Sequence, residues 1–192
     1  MPNFPYQVNV NNKSLFLAIN EREFAKLTTF VDFSEGFTIG FIEVDKNPEK
    51  EWLISALIDL FKEQEVYFYT LNFDNSQLQF LLDEITEKLK YFNYQDHKKL
   101  VLIIEGLENS IGTFGSFPAV LQDLNFVRDA FTDNVPYPVL FCLPSYSITR
   151  LAKFAPDFWA WKSGVFKFKS LKYPLMTSPI FGKKRSIITK NP

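Results

Sequence analysis

The apolar residues of this chain follow two periods in alternation. Short segments rich in apolar residues predict strands at 37–44, 66–72, 100–104, 138–143 and 164–168, and the run at 100–104 is continuous, as expected for a strand buried on both faces. Apolar residues spaced three or four apart predict helices at 21–33, 48–62, 118–131 and 146–154, and a further helix with apolar residues in register from Leu78 to Leu89. Residues Asp74 to Gln77 offer capping side chains for this last helix.

The alternation of strand and helix, with short links, predicts an α/β fold. We expect a three-layer α/β/α domain with a five-stranded, mainly parallel sheet, because parallel strands need crossover connections that cover both faces. One domain is expected over residues 1–168, with residues 1–20 as an N-terminal extension and residues 169–192 as a basic C-terminal tail.

The composition fits a globular protein and excludes several kinds of site. Hydrophobic residues make up 46% and aromatic residues 17% of the chain, which predicts a core rich in rings and some exposed rings available for contacts. A single Cys and a single His exclude a disulfide framework and a Cys/His zinc site built by one chain, so no metal site is expected. Cys142 is interpreted as a packed thiol and His97 as a solvated residue. No apolar run approaches the roughly 18 residues of a membrane span, so a cytoplasmic protein is expected.

Charge is distributed unevenly along the chain. Eight of the 21 Lys and Arg residues lie between residues 162 and 192, a stretch without Asp or Glu. The other 13 stand against all 22 acidic residues, so a basic tail follows an acidic body.

The run VDKNPEKE, from Val44 to Glu51, follows the first predicted strand. Ligands bind parallel sheets at the carboxyl ends of the strands, and a phosphate-binding loop would lie here. Such a loop, G-x-x-x-x-G-K-[ST], needs glycines, a lysine and a hydroxyl. Lys50 has the position of the lysine, but Glu51 replaces the hydroxyl, and Val44 and Glu49 replace the glycines.

The same run is acidic and contains a proline. Pro48 removes one backbone N–H, while Asp45, Glu49 and Glu51 bring negative charge toward an anion site. Two like charges about 4 Å apart repel by about 4 kcal/mol near a protein surface, against about 8 kcal/mol for a micromolar affinity. Acids at the start of a helix also stabilise its dipole. We therefore favour capping over phosphate binding, with another ligand as the third alternative.

The third predicted strand ends in an acid. Glu105 follows the apolar run LVLII, and Glu108 comes soon after, as in a P-loop ATPase that orients Mg²⁺ and activates water. A solvated strand end is the simpler interpretation of the same residues. Arg128 and Arg150 also have two interpretations: arginines that stabilise a γ-phosphate, or surface residues that pair with nearby acids.

Aromatic and basic residues concentrate toward the C-terminus. The run DFWAWKSGVFKF contains Trp159 and Trp161, which we interpret as covering a sheet edge or docking a neighbouring domain, with base stacking as the alternative. Lys183, Lys184 and Arg185 lie in the tail and offer a site for an acidic partner, nucleic acid or anionic lipid.

The segments LVLIIEGLE, LNFVRDAF and LPSYSITRLAKFAPDFWAWKSGVFKF resemble the nucleotide-binding domains of STAND proteins, a signalling branch of the AAA-related P-loop ATPases. The resemblance covers about residues 21–168 and is closest to bacterial members with a degenerate phosphate loop beside helical repeats. It implies a five-stranded P-loop sheet and a regulatory or scaffolding role in the cytoplasm. By position it makes Lys50 the phosphate lysine, Glu105 the metal-orienting acid and Glu108 the water activator.

Three functions follow from these observations. The first is a non-catalytic P-loop-fold module that needs no cofactor and acts through a protein partner or self-association. The second is an ATPase that binds ATP and Mg²⁺ with an unorthodox loop and uses Lys50, Glu105 and Glu108. The third is a nucleic-acid-binding module that uses the basic tail.

Overall fold

The structure, a computed structural model, describes residues 7–92, 99–115 and 117–171, with side chains from residue 12 onward. The described residues form the strands β1 (Thr38–Glu43), β2 (Val66–Asn72), β3 (Lys99–Glu105), β4 (Pro138–Leu143) and β5 (Lys162–Lys167). One face of the sheet is covered by the helices α1 (Gln7–Ile19), α2 (Glu21–Phe33) and α3 (Asn47–Phe61). The other face is covered by α4 (Leu81–Lys90), α5 (Glu108–Ile111), α6 (Ala119–Phe126), α7 (Arg128–Asn134), α8 (Ser145–Phe154) and α9 (Pro156–Ala160).

All strand pairs of the described sheet are parallel, and the strand order is β2-β3-β4-β1-β5. The predicted three-layer α/β/α fold with a five-stranded parallel sheet is therefore confirmed. Because the strands are parallel, their carboxyl ends meet at one edge of the sheet, where β1 lies between β4 and β5. None of the helices in the described ranges is long and apolar enough to cross a bilayer.

Each face of the sheet carries its own hydrophobic core, because successive side chains of a strand point to opposite faces. In β4, Val139 and Phe141 lie in the core covered by α4 to α9, whereas Leu140 lies in the core covered by α1 to α3. Gly40 of β1 lets α2 approach the sheet closely. A Cβ at this position would lie 2.8 Å from Leu140 Cδ2 and 3.1 Å from the Phe30 ring.

The single helix predicted at 118–131 is wrong. The chain forms α6 and α7 instead, separated by a turn at Val127 (φ −94°, ψ 10°). The turn redirects the chain so that the Phe131 ring lies 5.3 Å from Phe37 and 5.3 Å from Phe158. These ring contacts are tertiary interactions that override the local helical period.

The capping side chains predicted for α4 form turns instead. Asn75 Oδ1 accepts a hydrogen bond from the Gln77 N–H at 2.9 Å, two residues on, and α4 begins at Leu81 without a side-chain cap. Asn and Asp side chains readily bond their own backbone two residues on, and this local bond competes with capping.

Residues from both predicted appendages pack on the domain. Within the predicted extension, Phe16 of α1 is fully buried, with its ring centroid 6.1 Å from that of Phe168. At the start of the predicted tail, the Lys169 N–H donates to Asn20 Oδ1 at 2.7 Å, and Asn20 Nδ2 donates to the Lys169 carbonyl at 3.0 Å. Leu171 is also buried. The chain after β5 is therefore held beside the junction of α1 and α2.

Candidate functional site

The candidate residues Lys50, Glu105 and Glu108 come together at the carboxyl edge of the sheet. Lys50 lies in the first turn of α3, Glu105 ends β3, and Glu108 begins α5. The Lys50 Nζ lies 3.2 Å from Glu105 Oε1, and these two side chains are only 16% and 17% exposed. The sequence prediction that these residues share one site is consistent with this geometry.

The carboxylates hold Lys50 in its charged form. Burial alone lowers the pKa of Lys50, but the charge and hydrogen bond of Glu105, helped by the charge of Glu108, outweigh burial and raise the pKa above its usual value. Glu108 Oε2 is shielded from solvent and has no hydrogen-bond partner in the part of the chain that the structure describes. The ammonium of Lys50 therefore pairs with Glu105 and is also stabilised by the charge of Glu108.

Cys142 lies beneath this site, in β4. It is a free, buried thiol, so the interpretation of Cys142 as a packed residue is confirmed. Burial raises the pKa of the Cys142 thiol, and the charge of Glu105 raises it further, against the opposing effect of Lys50. The predicted solvated residue, His97, lies outside the described residues.

We predict that Cys142 does not react with a disulfide reagent such as DTNB while the protein is folded. The thiolate is the reactive species, and burial both hides the sulfur and keeps it protonated. The measurement is the release of the coloured thiolate at neutral pH. Because the chain has one Cys, unfolding in about 6 M guanidinium should release one equivalent. Equal rates in the folded and unfolded protein would contradict the prediction.

The connection between β1 and α3 is short. It consists of Val44 to Lys46, because α3 already begins at Asn47. Val44 is buried, and its N–H donates to the Leu143 carbonyl at 3.1 Å, which holds the connection against the end of β4. None of the described non-glycine residues has a positive φ, so this connection contains no left-handed turn.

Two of the three acids in the run that follows β1 bind other parts of the protein. Asp45 Oδ1 accepts a hydrogen bond from the Ser145 N–H at 2.8 Å, at the start of α8. Asp45 therefore caps α8, whereas the sequence suggested a role at the start of its own helix. Glu51 is exposed on the first turns of α3.

Glu49 is fully buried and binds the end of the described chain. Glu49 Oε2 accepts a hydrogen bond from Ser170 Oγ at 2.7 Å, and Glu49 Oε1 accepts one from the Leu171 N–H at 2.8 Å. Lys46 Nζ lies 3.6 Å from Glu49 Oε1 and donates to the Leu171 carbonyl at 2.8 Å. A residue expected to repel a ligand is thus a buried anchor for the segment that follows β5.

The two candidate arginines pair with protein groups. Arg128 Nη1 lies 3.4 Å from Asp157 Oδ2, and its guanidinium lies 6.0 Å from the centre of the Trp161 ring. Arg150 Nε donates to the Ile111 carbonyl at 3.2 Å. The interpretation of Arg128 as a residue paired with nearby acids is therefore confirmed.

The two candidate tryptophans have different environments. Trp159 packs against the core, with its ring centroid 4.9 Å from that of Phe41 and the Lys162 Nζ 4.5 Å above its ring. Trp161 is more exposed and contacts Phe37 at the end of the sheet opposite to Lys50. The candidate residues Lys183, Lys184 and Arg185 lie outside the described residues.

The loops after β2 and β3 are locked together beside Glu105. The Phe73 N–H donates to the Glu105 carbonyl at 2.8 Å, and Asn109 Nδ2 donates to Asp74 Oδ1. Gly106, with φ +78°, lies against this loop. Within the described ranges, no group of three or more His, Cys, Asp or Glu side chains is arranged to hold a metal ion.

Sequence analysis missed the long-range partners of this site. The Glu49 contacts join residues 121 and 122 positions apart, and the Asp45 contact joins residues 100 positions apart. Acids just before or inside the first turn of a helix are typical of dipole stabilisation, and nothing local indicates a distant partner. The fixed ends of the β-strands, in contrast, do indicate that Lys50 and Glu105 are neighbours.

Comparison with known proteins identifies a fold and no family. No protein-family model matches this chain, and no curated protein matches it. A chain in the structure of Drosophila ORC bound to DNA is similar over 85% of this chain and 32% of its own length, with 15% identity and a TM-score of 0.55. The Aeropyrum pernix ORC2 protein in its ADP form aligns over 82% of this chain and 47% of its own length, with 10% identity and a TM-score of 0.45.

The Drosophila similarity shows that this chain, with its five-stranded parallel sheet between helical layers, shares its fold with the aligned part of that ORC chain. At 15% identity the likeness concerns the fold alone. The chain spans less than half the length of both solved proteins.

Proposed function

We propose that this chain is a non-catalytic P-loop-fold module of the STAND type, with a degenerate phosphate loop, that regulates or scaffolds through protein contacts in the cytoplasm. One observation carries the proposal: the lysine in the position of the phosphate lysine is engaged by Glu105 at 3.2 Å, behind a connection of three residues. The lysine and the acid that would bind a nucleotide and its metal ion are paired with each other instead.

The backbone of the connection does not fit a bound triphosphate. Loops that cradle phosphates expose successive N–H groups, which requires residues that alternate between right-handed and left-handed conformations. Val44 to Lys46 contain no left-handed residue, and the Val44 N–H is bonded to Leu143. Pro48 has no N–H to offer in the first turn of α3.

The charges of the site also oppose a phosphate. To bind an anion, Lys50 would have to leave Glu105 and Glu108, and both acids would then lie close together without a cation. Removing one partner of a largely buried ion pair typically costs about 3–5 kcal/mol, somewhat less where the groups keep some solvent. That cost is a large part of the about 8 kcal/mol behind a micromolar affinity.

Exposed rings support a role in protein contacts. Several large aromatic side chains project into solvent from helix ends and loops: Phe33, Phe80, Tyr91, Phe114 and Phe126. Aromatic residues are enriched in protein interfaces, where they bury large areas at low entropic cost. These rings make a protein partner or self-association the favoured mode of action.

The second candidate is an ATPase, favoured by the same geometry. Lys50, Glu105 and Glu108 meet at the sheet edge where a P-loop ATPase has its lysine and acids. ATP would supply the transferable phosphoryl group and Mg²⁺ the charge neutralisation. In this alternative Lys50 leaves Glu105 and pairs with a phosphate of ATP. A binding experiment with ATP would detect this change of partner.

Titration calorimetry with ATP and with ADP, each with Mg²⁺, tests the proposal. We expect no binding up to about 1 mM nucleotide, which means that any binding free energy is weaker than about 4 kcal/mol. The matched variants are Lys50→Ala and Glu105→Gln, with their folding checked by circular dichroism. Micromolar binding that Lys50→Ala abolishes, or phosphate release that Glu105→Gln removes, would establish the ATPase alternative and overturn the non-catalytic role.

A further inference from the structure

A groove between α2 and the edge strand β5 has a basic end. Four exposed cations, Arg22, Lys26, Lys167 and Lys169, line one cavity of about 320 Å³. The carboxylate in the lining is that of Glu23, which is held by Lys26 Nζ at 2.9 Å and accepts the Lys167 N–H at 3.1 Å. Lys167 Nζ is itself paired with Glu43 Oε2 at 3.0 Å, so four cations stand against two carboxylates and the basic end keeps an excess of positive charge.

The other end of the groove is aromatic and polar. Lys26 also lines a neighbouring cavity of about 370 Å³, which connects the two ends along α2. Phe33 lines this second cavity and is 81% exposed, so most of its ring is open to a ligand. The hydroxyl-bearing residues in the lining are Thr29, Ser34, Thr38 and Ser163.

The hydroxyl of Ser34 is a second, independent observation that points to a ligand in the groove. It is 7% exposed, and its Oγ has no hydrogen-bond partner in the described part of the chain. A buried polar atom without a partner is destabilising, and its persistence calls for an explanation such as a ligand. The position of Ser34 in the groove lining connects this atom with the groove.

We propose that the groove between α2 and β5 binds a single strand of nucleic acid, with its phosphates at the basic end and a base stacked on Phe33. Single-strand binding grooves combine cations that follow the backbone with aromatic faces for the bases. The cations line a concave cavity, which a flexible strand enters more readily than a flat lipid surface. The inference does not depend on Lys50 or on the connection after β1.

Phosphate binding at the basic end makes the affinity depend on salt. Each phosphate that a cation of the groove neutralises releases condensed counterions, so the affinity falls steeply as the salt concentration rises.

Fluorescence anisotropy with a labelled oligothymidylate of about 20 nucleotides tests the inference on the full chain. We expect binding at about 0.05 M salt. The logarithm of the affinity should fall linearly with the logarithm of the salt concentration, with a slope of about −2 or steeper. The double variant Arg22→Glu/Lys169→Glu should lose at least about tenfold in affinity. Its matched control, Lys62→Glu/Lys153→Glu, makes the same charge change outside the groove and should lose much less.

A second pair of variants tests the stacking contact. Phe33→Ala should weaken binding at least about fivefold, whereas Phe126→Ala, an equally exposed ring on the other face of the sheet, should not change it. Both side chains are largely solvated, so neither change should unfold the protein.

Several outcomes would overturn the inference. One is the absence of oligonucleotide binding, and another is equal loss in the groove variant and its charge control. A third is loss only when Lys183, Lys184 and Arg185 are replaced by Gln, which would assign binding to the tail alone. Stronger binding to anionic vesicles or to polyglutamate than to the oligonucleotide would assign the groove to a membrane or an acidic protein instead. Nucleotide titration at Lys50 reports separately on the proposed function.

Discussion

Replacing Gly106 with Ala is expected to lower the free energy of unfolding by about 2–5 kcal/mol. Gly106 has φ +78°, where an L-residue is strained by about 1–2 kcal/mol. A Cβ would also lie 2.7 Å from the Asp74 backbone nitrogen, so the loop after β2 must move. Overpacking of this kind adds about 1–3 kcal/mol. Such a loss is a large part of the total stability of a domain, about 5–15 kcal/mol.

The measurement is urea unfolding followed by tryptophan fluorescence, with Gly36→Ala as the matched control. Gly36 also has a positive φ, +57°, but a Cβ there would meet nothing within 4 Å. The control should therefore lose only the backbone term, about 1–2 kcal/mol. If Gly106→Ala and Gly36→Ala lower the free energy of unfolding by the same amount, the loops after β2 and β3 do not pack closely around Gly106.

The sequence predicts the sheet well. The central strands β3 and β4 are buried on both faces and are continuous apolar runs, while the partly exposed edge strand β2 is rich in aromatic residues. β2 matches its predicted range, and β3 differs by one residue at each end. Helices with long apolar stripes, such as α2, are predicted equally well. Elements shorter than two turns are not, because α5 and α9 are too short to show a period.

The candidate site is predictable only where topology dictates it. Parallel strands place their carboxyl ends together, which is why Lys50 and Glu105 are neighbours although 55 positions separate them. The direction of a side chain on the first turn of a helix depends instead on what packs around it. Glu49 and Lys50 are adjacent in sequence, yet one binds Ser170 and the other Glu105.

Replacing Glu49 with Ala is expected to lower the free energy of unfolding by about 2–4 kcal/mol. The carboxylate is fully buried and accepts hydrogen bonds from Ser170 Oγ and the Leu171 N–H. Each hydrogen bond to a charged group contributes about 1.5–3 kcal/mol, and the buried N–H would be left without its acceptor. Lys46 is partly exposed, so water compensates for part of its loss. Urea unfolding measures the change.

Glu51→Ala is the control for charge and helix dipole, because Glu51 lies in the same helix end but is exposed. It should change stability by no more than about 0.5 kcal/mol. Glu49→Gln keeps one acceptor oxygen and should fall between the two. Hydrogen exchange adds a local measure: Glu49→Ala should expose the Leu171 amide first, since Glu49 Oε1 is its acceptor. If the Leu171 amide exchanges as slowly in Glu49→Ala as in the unmodified protein, Glu49 is not what holds the chain after β5 against α3.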